Sequence, residues 1–171
     1  MSAPDNSLPV TLQVPSIRRR LAALPYEGLL ILALLLISAF PLAGLKGLTL
    51  QGAPHFFSQV YFFAVAAAYF TWFWCRGGQT LAMKTWKFRV LDATGRPLTG
   101  FRAFSRYLAA MLFYGPACVG LVLLFFPNRV SPLITMWLFL PMIASIFWAR
   151  FDPDSQFLHD RMAGTRLVAA A

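Results

Sequence analysis

SIRRRLAALPYEGLLILALLLISAFPLAGL (residues 16–45) is the stretch on which the reading of the fold turns. Three arginines, Arg18, Arg19 and Arg20, lead into a long apolar run that carries a single carboxylate, Glu27. A bilayer core needs about 20 apolar residues to be crossed as a helix; residues 21–45 meet that and predict a first membrane span. An ionisable side chain inside a span costs roughly 2.5–3.5 kcal/mol on insertion scales, so it calls for a partner or a task. Arg20 stands seven residues before Glu27, which is two helical turns and the same face if the helix is unbroken. Pro25 lies between them. It removes a backbone donor and crowds the carbonyl of Leu21, so a helix that starts or bends there is the competing expectation. On a blander reading Glu27 sits at the depth of the interface and is solvated, with the arginines marking topology.

Composition supports the membrane reading for the rest of the chain. Of 171 residues 58% are apolar and only 12% charged, and the mean hydropathy is +0.63. That excludes an ordinary soluble domain. The net charge of +9 does not point to nucleic acid, because the basic residues fall between apolar runs and not on one soluble face. Cys75 and Cys118 are far apart, and they form neither a metal spacing nor a disulfide framework. The first apolar run is longer than a signal-peptide core and is followed by no A-x-A site, so it is expected to stay in the protein. Arg18-Arg19 lacks the flanking pattern of a twin-arginine signal.

Taken in order, residues 1–15 hold three prolines and several polar residues, and read as a flexible tail. Residues 46–54 form a loop marked by glycine and proline. A second span covers residues 56–74, with aromatic rings at both ends and Ala64, Ala66, Ala67 and Ala68 in its middle, where another helix could approach closely. Residues 75–106 are polar and hold seven basic residues against one acid, Asp92. Within them TWKFRVL (residues 85–91) alternates, Asp92-Ala93-Thr94-Gly95 reads as a turn and Arg96-Pro97-Leu98 as a return, so a β-hairpin is expected over residues 85–98. The short β-prone run Thr165-Arg166-Leu167-Val168 is a candidate partner for its edge. A third span is expected at residues 107–126, with a kink at Gly115-Pro116, and a fourth at 132–148, bent at Pro141. The turn between them (residues 127–131) is brief, so a re-entrant hairpin of spans three and four is the alternative. In the tail, Asp152 before Pro153 and the later Gly164 predict a short helix over residues 153–163.

Lysine and arginine near span ends set orientation, because cytosolic loops carry the excess. With both termini inside, the inner segments hold 13 of the 15 basic residues; the outer loops hold only Lys46 and Arg129. The expected architecture is therefore an all-α membrane protein: a four-helix transmembrane bundle, N-in and C-in, with a small cytosolic β-hairpin and a C-terminal interfacial helix. Residues 16–171 form its single membrane domain.

Several motifs, in order, resemble the RDD domain of bacterial membrane proteins. They are Arg20-x6-Glu27, Gly78-Gln79-Thr80-Leu81-Ala82-Met83-Lys84, Arg89-Val90-Leu91-Asp92-Ala93-Thr94-Gly95, Arg106-Tyr107-Leu108, and Leu158-His159-Asp160-Arg161-x3-Thr165-Arg166-Leu167-Val168. The resemblance covers nearly all of the chain after residue 15. By position it implies that Arg20 is the arginine of the family's name and Asp160 its last aspartate. Glu27 stands where the family has its middle aspartate, which keeps the charge on an arm one carbon longer. Ala82 stands where glycine is common. The resemblance implies a protein of the bacterial inner membrane whose biochemistry is unsettled; transport, including cation/proton antiport, has been suggested for the family.

Three functional readings are open. In the first, Arg20, Glu27 and Asp160 make a buried ion network that pins the C-terminal helix to the first span. In the second, Glu27 is the carboxylate of a cation or proton path, or of a path for another small solute. Arg20, His159, Asp160 and Arg161 then lie at its cytosolic mouth, and Gln79, Thr80, Lys84, Arg106 and Thr165 support it. In the third, the chain is an accessory or assembly subunit, its second span packing on partner helices and its basic segment meeting anionic lipid or a partner protein. The expected partners are the bilayer and either a second copy or another membrane protein, not nucleic acid. Gly77-Gly78-Gln79-Thr80 is too short for a phosphate loop and more naturally forms the turn out of span two, with Gln79 or Thr80 capping the next segment of the chain. Asp152 and Asp154 read as capping residues and not as a cation site. No enzyme, catalytic residue, metal or cofactor is expected; His159 and Asp160 are adjacent in sequence and so point about 100° apart on a helix.

Overall fold

The computed structural model describes residues 13–48, 55–125 and 130–170. The tail expected over residues 1–12, most of the loop over 46–54, and residues 127–129 of the turn, Arg129 included, lie outside the described residues.

The opening stretch forms one helix, α1 (Ile17–Leu48), which runs through both Pro25 and Pro41. A helix start at Pro25 is thus not what the chain adopts. In an apolar surround the unbonded backbone of a broken helix is costlier than the one hydrogen bond a proline removes, so prolines are tolerated inside spans. Two further long helices come next: α2 (His55–Gly77) and, after the short α3 (Leu81–Thr85), α4 (Gly100–Leu124). Pro116 sits within an unbroken α4. Helices α1, α2 and α4 are each long and apolar enough to cross a membrane. Their outer faces fit that surround: on α1 Leu29, Ile37 and Phe40 are 66%, 69% and 78% exposed, which water would penalise and lipid does not.

The expected fourth span is two pieces, α5 (Pro132–Trp137) and α6 (Leu140–Trp148). The break falls where proline chemistry puts it. Pro141 has no N–H to give and its ring would strike the carbonyl of Trp137, four residues back, so α5 ends there and Phe139 N–H turns to Met136 O at 3.1 Å. Gly120 of α4 lets the turn come close: a Cβ there would lie 3.0 Å from the Phe139 ring.

The two strands differ from the expected hairpin. β1 (Phe88–Asp92) pairs antiparallel with β2 (Thr165–Ala169), in the register Phe88 to Ala169, Val90 to Leu167 and Asp92 to Thr165. The candidate edge partner is thus the whole partner, and residues 96–98 form no strand. Asp92 explains why. Its Oδ1 accepts from Thr94 N–H (2.8 Å), Thr94 Oγ1 (2.7 Å) and Arg96 N–H (2.8 Å), and Pro97 has no N–H to donate. Local side-chain bonds of this kind displace a ladder. Both strand edges are covered, β2 by Gln13 O accepting from Ala169 N–H at 2.7 Å, and β1 by Gly78 O accepting from Val90 N–H at 2.7 Å.

The C-terminal helix is also shorter than expected: α7 is Leu158–Met162. Asp152 does not start a helix. Its Oδ2 accepts from Asp154 N–H and Gln156 N–H, and Ser155 sits at φ 50°, outside helical space. Gln156 then holds the segment to β2, its Oε1 accepting from Leu167 N–H at 2.9 Å. Gly164, at φ +61°, ends α7, as its position predicts. The buried core joins all of this at one end of the helices: Ala23, Ala66, Ala67, Trp74, Met83, Phe88, Val90, Leu98, Ala103, Tyr107 and Leu167. Ala66 and Ala67 serve the close approach expected of the second span, within the chain itself.

Candidate functional site

The site is built from that same end of the helices. Arg106, near the start of α4, points inward against α7, where its Nη2 donates to Asp160 Oδ1 at 2.5 Å; the two side chains are 4% and 0% exposed. The guanidinium also lies 4.2 Å from the centroid of the Trp74 ring on α2. Asp160 Oδ1 is 3.3 Å from His159 Nε2, and His159 Nδ1 faces Ser145 Oγ of α6 at 3.4 Å. The tautomer with the proton on Nε2 satisfies both contacts: the ring donates to the carboxylate and accepts from the hydroxyl. Tyr114, eight residues beyond Arg106 on α4, stands edge-on to the His159 ring at 5.1 Å. Burial drives the His159 pKa from 6.5 down to about 4, against the upward pull of Asp160, so at neutral pH the ring is uncharged.

Arg20 arrives from α1. Its Nε donates to Pro15 O at 2.9 Å and its Nη1 to Ser155 O at 2.7 Å, and it lies 5.2 Å from the centroid of Phe157. Arg20 is 2% exposed. It therefore ties the N-terminal segment to the 152–157 loop through backbone carbonyls.

Glu27 has a different surround. Tyr69 OH of α2 donates to its Oε1 at 3.0 Å and Thr80 Oγ1 to its Oε2 at 2.5 Å. Thr80 is also the cap of α3, accepting from Met83 N–H at 3.3 Å. Among the described residues Glu27 has no ion pair; Arg106 reaches it only through space. Arg20, Glu27 and Asp160 thus share one end of the fold but do not bond to one another. The direct partner of Asp160 is Arg106, which sequence reasoning placed only among the supporting groups.

The remaining expected residues divide between roles. Gln79 Nε2 donates to Phe88 O at 2.8 Å, anchoring β1. Thr165 Oγ1 donates to Asp160 O at 3.2 Å, fixing the end of α7. Arg161 leaves the cluster: it is half exposed and binds Asp154 at 2.9 Å, a carboxylate shared with Arg166. Asp154 is therefore an ion-pair partner and not a cap. Lys84 is exposed. Asp92 is held below the usual carboxylate range by the Thr94 hydroxyl first, then by the Arg96 N–H and, less strongly, the Thr94 N–H and the Arg102 cation. Tyr69, Trp74, Tyr114 and Ser145 were missed. For Tyr114 a signal existed, since eight residues after Arg106 is about two turns on one face; for Ser145 and Trp74 none did. Among the described residues no group of His, Cys, Asp and Glu could hold a metal ion.

A family model described as the RDD family matches residues 14–164, a span that includes Arg20, Glu27, Arg106 and Asp160. The comparisons with curated proteins and with solved structures returned no match.

Proposed function

The chain belongs to the RDD family, and from that premise we propose a four-pass, non-enzymatic protein of the bacterial inner membrane. Both termini lie in the cytoplasm, and the charges around Arg106 act as a structural clamp. The topology is supported by two facts. Gln13 O accepts from Ala169 N–H at 2.7 Å, so both ends of the described chain lie on one side of the helices. Helices α1, α2 and α4 make three passes, and α5–α6, packed along α4, carries the chain back to α7. The 13 basic residues of that side make it the cytoplasmic one. α5–α6 spans about 25 Å at 1.5 Å per residue, short of an average hydrocarbon core of about 30 Å; local bilayer thinning accommodates such a mismatch.

The observation that carries the clamp is the Arg106–Asp160 pair, buried at 4% and 0% exposure. It joins α4 to α7, while Arg20 joins α1 to the 152–157 loop and Glu27 joins α1 to α2 and α3. Removing one partner of such a pair is strongly destabilising. Asp160→Asn is therefore expected to lower folded yield and melting temperature in detergent.

One observation favours cation/proton exchange as the second reading. Glu27 is held by two hydroxyls and, among the described residues, by no ion pair, so it can gain a proton while keeping both contacts, each hydroxyl being donor or acceptor. Glu27→Gln in sealed vesicles separates the readings. Under exchange it abolishes ion-driven proton movement at normal folded yield; under the clamp no such flux exists to lose.

A further inference from the structure

We propose that a groove on the outer face of α2, at its C-terminal end, is a seat for one anionic phospholipid, with Arg76 binding the phosphate and Ala68 carrying an acyl chain. The groove has a volume of about 360 Å³ and is lined by Ala68, Thr71, Trp72, Cys75 and Arg76. These positions recur every three or four residues, so they share one face of the helix over its last turns. Ala68 and Trp72 are exposed, and a methyl group beside an indole leaves a hollow on that face. Apart from the Arg76 guanidinium the lining is apolar in character, which suits a hydrocarbon chain on a helix long and apolar enough to cross a membrane.

Arg76 supplies the polar end. It stands one residue before the end of α2, yet its guanidinium folds back and lies 3.8 Å from the centroid of the Trp72 ring, four residues earlier. Helical side chains lean toward the N-terminus, and four residues are about 6 Å of rise. The charge is therefore held at the level of Trp72, and tryptophan rings near span ends sit among lipid headgroups. A cation at that depth calls for an anion, and the carboxylates among the described residues are engaged elsewhere. Asp92, Asp152, Asp154 and Asp160 pair with other arginines, and Glu27 is held by Tyr69 and Thr80. A lipid phosphate fits the guanidinium fork, which can donate two parallel hydrogen bonds, and the stack on Trp72 holds that fork in place beforehand. From Arg76 back to Ala68 is about 12 Å along the helix, a distance that one phospholipid covers from phosphate to acyl chain. A second copy of this chain is the poorer occupant. Parallel copies meeting on this face would bring two Arg76 guanidinium groups together, and like charges repel. The inference rests on α2 crossing the bilayer and on neither reading of the charged cluster.

Native mass spectrometry of the full chain, released from micelles that contain palmitoyl-oleoyl phosphatidylglycerol, reads bound lipid directly. The parent is expected to retain one lipid, at an occupancy several-fold above that of Arg76→Gln. Ala68→Phe keeps every charge and fills the groove from an exposed position, so the packed core does not depend on it; it should lose the lipid to a similar extent. Arg89→Gln removes the same charge from an exposed site on β1 and should retain the lipid as the parent does. Equal retention by all four proteins, or equal loss in Arg89→Gln and Arg76→Gln, would reduce the effect to general charge attraction and overturn the proposal. So would inorganic phosphate displacing the lipid, or a lipid-free dimer that Ala68→Phe dissociates.

Discussion

Replacing Asp160 by asparagine is the sharpest perturbation of the clamp, because the amide keeps the shape and removes the charge. It leaves Arg106, 3% exposed, with no carboxylate partner among the described residues; the asparagine oxygen can still accept its hydrogen bond and the Trp74 face stays at 4.2 Å, but neither carries the opposing charge. Breaking a buried pair in this way costs about 3–5 kcal/mol. For a chain of this size about 2–4 °C is lost per kcal/mol, which places the melting temperature of Asp160→Asn roughly 6–20 °C below the parent. Intrinsic tryptophan fluorescence on heating in detergent measures it, since Trp74 itself reports on the site. The double variant Arg106→Met/Asp160→Leu should recover much of the loss, because a buried pair replaced by apolar groups of similar volume is often neutral or better. Deficits that simply add in the double variant would show that the two residues are not coupled. An Asp160→Asn protein that melts within about 2 °C of the parent, less than one kcal/mol by the same conversion, would refute the clamp.

Three further outcomes are expected. Gly78→Ala forces a side chain to φ +67° and puts its Cβ 2.6 Å from Val90 O; strain of that kind alone is worth about 1–3 kcal/mol, so folded yield should drop sharply. Gly120→Val pushes against the Phe139 ring, 3.0 Å from where a Cβ would stand, and overpacking of about 1–3 kcal/mol should appear as a lower melting temperature. Acid should weaken the fold through His159, whose folded pKa of about 4 lies below its ordinary 6.5. Between those values the unfolded chain binds the extra proton, so this stability is complete above the upper one and is lost as pH falls toward the lower. At about 1.36 kcal/mol per pKa unit the loss approaches roughly 3 kcal/mol, and melting curves of His159→Gln should fall less steeply over that window.

Much of the fold was legible because lipid imposes strict rules on a sequence. Residues 16–45, 56–74 and 107–126 had to be helices, since an apolar run of that length leaves its backbone no other way to bond. Pro141 announced the break that separates α5 from α6, and Thr80 and Gly164 announced a cap and a stop. The errors lie where side chains compete with regular structure. Asp92 looked like a plain turn residue, but it takes the N–H groups that a returning strand would need; Asp152 looked like a helix cap, and the 152–156 turn consumes it instead. Short-range spacing contains no account of such choices, because they depend on which group arrives first at a shared donor.

The charged cluster divides the same way. Sequence alone determined that Arg20, Glu27 and Asp160 belong to one end of the molecule, since their places in the chain follow from span length and charge count. Only the tertiary structure decided whom they bind. Glu27 meets Tyr69 and Thr80 across helices, Arg20 meets two backbone carbonyls, and Asp160 meets an arginine 54 positions away in the chain. A buried charge must be compensated within a few ångströms, and a distance that short is set by how helices pack, which no local pattern encodes.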